Sequence, residues 1–158
     1  MKISEFEFTP GNHFVAMEYY WLILNRTFLI LLTDNELIGI KVHGPIGAES
    51  SDPLIGLLPL TIDGDLENPY SYIAGKYIER IKDIDLNSEA FLSVNKSNFR
   101  IKKLEIVEAK YDKNKKWGMG HYPHDGKVCV KTRDNSKREF IILGSQSGQD
   151  IEKRIGKN

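Results

Sequence analysis

Residues 127–143, KVCVKTRDNSKREFIIL, constrain the fold more than any other stretch of this chain. Lys127, Cys129 and Lys131 alternate with Val128, Val130 and Thr132, the period-2 pattern of a strand with one wet face. Arg133, Asp134, Asn135 and Ser136 are turn-forming residues, and Glu139–Leu143 resumes as a β-branched, apolar run. The spacing predicts a β-hairpin, and the rest of the chain reads as additions to it.

The segment from Arg26 to Val42 predicts a second hairpin, with TFLILLT and ELIGIKV joined at Asp34-Asn35. Gly39 inside its second strand predicts a bulge or a close backbone approach. Upstream, residues 3–8 read as a short edge strand, Pro10-Gly11-Asn12 as a break, and Phe14 to Leu24 as a strand on its Tyr-Tyr-Trp content. Residues 44–68 change character. Asp52 reads as an N-cap with Pro53 at the first helical position, and Leu54, Ile55, Leu57, Leu58, Leu60 and Ile62 leave the insert almost without a polar face. Either it plugs one end of the sheet or it forms an interface with a partner.

Tyr70, Ile73, Tyr77, Ile78 and Ile81 recur at three- and four-residue spacing, predicting an amphipathic helix from Pro69 to about Lys82. Asn87 or Ser88 caps a further short helix through Ser93. Strands are expected at 98–101 and 104–112, a basic turn at 113–116, a strand start at 117–120, a loop at 121–126, and a last helix over 149–155. The expectation is α+β, mostly antiparallel: one domain over 1–158, a bent or partly closed sheet, a C-terminal helix and a helical insert at about 52–95.

Net charge is zero, so no whole-molecule field draws the chain to nucleic acid or anionic lipid. Residues 1–95 nevertheless hold 6 Lys+Arg against 14 Asp+Glu, and residues 96–158 hold 16 against 8. That asymmetry reads either as a basic binding face or as two halves that complement one another. One cysteine excludes an intramolecular disulfide and fits a reducing compartment. The start of the chain shows no secretory pattern, and the apolar stretch 19–32 is too short to span a bilayer as a helix. A cytoplasmic location is expected.

Two stretches, FLILLTDNELIGIKV at 28–42 and FRIKKLEIVEAKYDKNKKWGMG with GKVCVKT and REFIIL over 99–143, resemble the bacterial pleckstrin-homology-like domains. The resemblance implies a bent, partly closed antiparallel sheet, barrel-like and capped by a helix. It also implies a binding, scaffold or assembly role. No functional residues carry over from it.

Lys113, Lys115, Lys116 and Trp117, with Lys131, Arg133, Lys137 and Arg138 on adjacent hairpin positions, are the candidate ligand-binding set. They would present a cationic patch to phosphate groups or an acidic protein. The ordinary reading is a charged outer strand face that discourages edge pairing. His121-Tyr122-Pro123-His124 is the one local constellation that suggests a metal or a hydrolase, with Asp125 or Cys129 as helpers. No second Cys/His pair supports a metal site, and Cys129 sits mid-strand without a helix N-terminus to activate it. Asp63-Gly64-Asp65-Leu66-Glu67 lacks the further ligands of a calcium loop and reads as a solvated turn.

No catalytic residue, metal or cofactor is assigned. Expected partners are a protein or a second copy through Leu54, Ile55, Leu57, Leu58 and Leu60, with peripheral membrane contact allowed and nucleic acid disfavoured. The favoured function is a binding or assembly module for a protein or an acidic or phosphorylated ligand. The alternative is a small hydrolase or metal-binding protein using His121 and His124.

Overall fold

The computed structural model describes residues 1–47, 62 and 64–156. Its strands are β1 (His13–Trp21), β2 (Leu24–Leu32), β3 (Glu36–His43), β4 (Phe99–Lys102), β5 (Ile106–Asp112), β6 (His124–Thr132) and β7 (Lys137–Leu143). They form one seven-stranded antiparallel sheet in the order β4-β3-β2-β1-β7-β6-β5. The helices are α1 (Gly75–Ile81), α2 (Glu89–Val94) and α3 (Gly148–Ile155).

The sheet is strongly bent and does not close. β4 and β7 stand four strand spacings apart, roughly 19 Å in a flat sheet. The rings of Phe99 on β4 and Phe140 on β7 nevertheless stack with centroids 6.0 Å apart. Their face is therefore the concave one, filled by Phe14, Phe28, Ile30, Val128, Ile142 and, from α3, Ile151 and Ile155. Gly39 makes the curl possible at β3–β4. A Cβ there would lie 2.0 Å from the Phe99 ring, so the expected close approach is real.

The convex face is buried too. Val15, Met17, Leu29, Ile38, Ile40 and Ile141 meet Ile3, Ile46, Tyr72, Ile81, Leu86, Phe91, Met119 and Tyr122. Burial on both faces explains why Phe28–Leu32 reads as a continuous apolar run rather than an alternating one. The terminal helix begins at Ser147, whose hydroxyl accepts from the Asp150 amide at 3.2 Å.

Several expectations are corrected. Residues 3–8 form a 3-10 turn at Ile3–Glu5 instead of a strand, because the Glu5 carboxylate accepts from the Lys2 amide and Ile3 turns inward. The helix expected over 69–82 is broken. Pro69–Tyr72 is 3-10, Ile73 and Ala74 are extended, and the Ala74 amide donates to the Val42 carbonyl at 2.9 Å before α1 starts. Residues 117–120 are a turn with Gly118 and Gly120 at φ 86° and 58°, not a strand start. The run 14–24 is two strands, since the chain reverses at Leu22-Ile23. The helix read at Asp52-Pro53 and the interface read at Leu54, Ile55, Leu57, Leu58 and Leu60 lie outside the described residues.

Candidate functional site

The β6–β7 turn is built from its own side chains. Asp134 accepts from the Thr132 hydroxyl at 2.5 Å and from the Ser136 amide and hydroxyl at 3.0 and 2.8 Å. These bonds, the Thr132 hydroxyl first, hold its carboxyl below the usual carboxylate range. Asn135 takes the left-handed conformation at φ 64°, which asparagine tolerates.

The turn sends the strand's first two cations to opposite faces. Lys137 stands opposite Lys131, and Arg138 opposite Val130. Arg138 enters the concave side, where its guanidinium lies 3.7 Å from the Phe99 ring centroid and donates to the Glu18 oxygens at 3.1 and 3.0 Å. Arg26 donates to the same carboxylate at 3.1 and 2.9 Å. Burial lowers the Arg138 pKa, Glu18 opposes that shift and Arg26 adds to it. A cleft of about 570 Å³ opens beside Arg138, with Phe99, Ile101, Leu104 and Val130 as apolar lining and Arg133 and Lys137 at its rim. Among the described residues neither Arg133 nor Lys137 has an ion-pair partner.

The other half of the expected set is elsewhere. Lys115, Lys116 and Trp117 sit on the convex side, around a shallow depression of about 710 Å³ shared with Tyr20, Trp21, Leu22 and Lys127. The loop is pinned from below: the Tyr19 hydroxyl donates to the Trp117 carbonyl at 3.1 Å. Burial pushes the Tyr19 phenol up to about 12. Lys115 donates to the His124 carbonyl, Lys116 pairs with Glu139, and Lys127 pairs with Asp112 at 3.0 Å. The depression is therefore more apolar than its lysines suggest. Trp117 is 80% exposed, Leu22 72%, Trp21 65% and Tyr20 50%.

Leu22 holds φ 49°, a left-handed backbone that leucine rarely adopts. Tyr20, Trp21 and Leu22 were not among the expected site residues. Tyr-Tyr-Trp carried a strand signal, and a tight turn without Gly or Asn gives no turn signal. One chain of contacts ties shelf to cleft: the Arg26 guanidinium lies 5.3 Å from the Tyr20 ring centroid and meets Arg138 at Glu18. Lys113 and Lys131 line neither recess.

The histidines do not converge. His124 is buried, with Nδ1 donating to the Tyr122 carbonyl at 3.1 Å and Nε2 accepting from the Lys116 amide at 3.0 Å. Burial holds its pKa below the ordinary histidine value. His121 is exposed and stacks on the Tyr122 ring with centroids 4.7 Å apart. Cys129 Sγ lies 3.9 Å from Glu139 Oε2, and burial, then that carboxylate, push its thiol up, the reverse of activation. Among the described residues no three His, Cys, Asp or Glu side chains gather as a metal would need. Asp63 lies outside the described residues, and Asp65 accepts from the Glu67 amide at 3.0 Å within a turn.

Among the described residues no helix is long and apolar enough to cross a membrane. Comparison of the chain with family models, with curated proteins and with solved structures finds no match.

Proposed function

We propose that the protein is a binding module of the pleckstrin-homology-like kind. Its partner is an acidic protein segment that docks on the shelf of Tyr20, Trp21, Leu22 and Trp117. The bent antiparallel sheet with its C-terminal helix supports the first part of this reading. The second part is carried by a single observation: four large apolar side chains, each at least half exposed, meet at one depression. Scattered surface apolar residues need no explanation, whereas a cluster of aromatic and leucine side chains marks an interaction surface.

Charge selects the partner's sign. One carboxylate, Glu18, is shared by Arg26 and Arg138 beside the shelf, and Lys41 stands close enough to Arg26 for that charge, after burial, to lower its pKa. Arg133 and Lys137, without ion-pair partners among the described residues, add positive charge beside Arg138, offset in part by Glu105 and Asp134 on the same lining. These cations steer an acidic segment, and the apolar shelf supplies most of the affinity. A hydrolase reading finds less support, because both ring nitrogens of His124 are already committed to main-chain groups.

Both tryptophans of the chain, Trp21 and Trp117, line the shelf, so intrinsic fluorescence reports on it directly. A synthetic peptide alternating glutamate with leucine is expected to shift the emission to the blue, with a response that weakens as salt rises. The Trp117→Ala and Leu22→Ser variants should lose that response. No response to the peptide overturns the reading. A response to phosphatidylserine vesicles alone replaces the protein partner with a lipid surface.

A further inference from the structure

At the opposite end of β1 from the shelf, the Pro10-Gly11 turn, the Pro69–Tyr72 turn and α3 enclose a cleft of about 250 Å³. Arg154, in the last turn of α3, brings its guanidinium beside Gly11. A Cβ on Gly11 would sit 3.2 Å from the guanidinium carbon and from Nε. Gly11 holds φ +108°, so this approach depends on a residue without a side chain. Arg154 as a residue is half-buried. Its guanidinium has neither an ion-pair nor a hydrogen-bond partner among the described residues. Its five N–H donors therefore have no protein acceptor and are open to a ligand that enters the cleft.

The groups around it fit an anion. His13 Nδ1 lies 3.0 Å from Asn12 Oδ1, and its Nε2 is hydrogen-bonded with the Tyr70 hydroxyl. Burial, and more weakly Arg154, hold the His13 pKa below the ordinary value, against a hydrogen bond to Thr9 that acts to raise it. Asp150, the carboxylate that lines the cleft, is exposed and 3.9 Å from Lys153. The start of α3 is already served: the Gly148 amide donates to Asp125 at 2.8 Å and the Asp150 amide to Ser147. The open valence belongs to Arg154, not to the helix terminus. A cleft of this size is below the roughly 300–1,000 Å³ of whole small-molecule pockets and suits one charged head group.

We infer that the cleft between Gly11 and α3 binds a small oxyanion, a phosphate or carboxylate group, on the Arg154 guanidinium beside His13 and Tyr70. The anion replaces water at Arg154 and neutralises the charge that His13 feels, so a bound anion raises the His13 pKa. Tyr70 keeps its hydroxyl within reach of either partner.

The test is a histidine-ring NMR titration of the full chain with inorganic phosphate and with acetate, each against sodium chloride at equal ionic strength. Saturable movement of the His13 resonances and a raised His13 pKa are expected with phosphate, acetate or both, and the pair distinguishes the two head groups. The Arg154→Gln variant should bind about tenfold more weakly or not at all, the loss of a charge-assisted contact, while Lys96→Gln, at an exposed position away from the cleft, should bind as before. The wild-type titration stands whether or not the variant folds. If His13 responds to both anions as it does to chloride, or if folded Arg154→Gln responds like wild type, the inference fails.

Discussion

Arg138 and Glu18 face each other across the β1–β7 pair, with one guanidinium nitrogen 3.0 and 3.1 Å from the two carboxylate oxygens while the same guanidinium covers Phe99. Arg26 shares the carboxylate from the other side. Glu18 is thus the single negative group between two partly buried cations. Its replacement by Gln keeps the shape and removes the charge, leaving both guanidiniums uncompensated. Loss of about 3 kcal/mol of stability is expected by urea denaturation. Replacing Glu18, Arg26 and Arg138 together by apolar residues should cost much less than this single change.

Gly39 admits no side chain. The Phe99 ring occupies the Cβ position, so Gly39→Ala forces β4 outward and opens the concave core. A loss of about 2–3 kcal/mol is expected. Adding Phe99→Leu to the variant should recover part of it, and a simple sum of the two single effects would show that the contact is not the cause.

Leu22 is strained as well as exposed, a combination that thermal stability by itself would not select. Leu22→Gly relieves the left-handed backbone and should raise stability by about 1 kcal/mol. The same variant should bind the acidic peptide more weakly. A gain in stability without a loss of binding would separate the hairpin tip from the docking surface.

His124 predicts a pH dependence with a definite sign. Its folded pKa lies below the ordinary 6.5, because of burial first and then of Lys115 and Lys127, against the Tyr122 carbonyl and Asp125. Between the two values the unfolded chain binds more protons than the folded one, so stability rises with pH in that window. Stability should be fully present above about 6.5 and decline as pH falls below it. His124→Gln, whose amide oxygen can still accept from the Lys116 amide, should flatten the decline. His13, also held below its ordinary value, would account for the part that remains.

Cys129 should be slow to react. Burial and Glu139 keep it as a thiol, so iodoacetamide at pH 8 should label it far more slowly in the folded protein than in urea. Cys129→Ala should leave peptide binding unchanged.

The hairpins were legible because their cues are local. Alternation in 127–132, the polar turn 133–136 and the Asp34-Asn35 pair each fix geometry over a few residues, and the strands fall there. Gly39 was legible for the same reason: a glycine in a strand has few other uses. Breaks inside an amphipathic pattern were less visible. Tyr70 to Ile81 keeps a helical period, yet Ala74 leaves the helix to donate to Val42, a bond to a residue 32 positions earlier that no local pattern records.

The candidate site divides in the same way. The sequence determined that Lys115, Lys116, Trp117, Arg133, Lys137 and Arg138 lie near the β6–β7 hairpin, because chain proximity alone requires it. Which face each took was decided by strand register. A shift of one position sends Lys137 and Arg138 to opposite sides, and only the curl that brings Phe99 to Phe140 turns Arg138 into a partner of Glu18. The shelf and the Arg154 cleft needed the tertiary structure entirely. Tyr20 and Trp117, like Gly11 and Arg154, are about a hundred residues or more apart in the chain. The bending and burial of one sheet between two cores, rather than any local preference, bring each pair together.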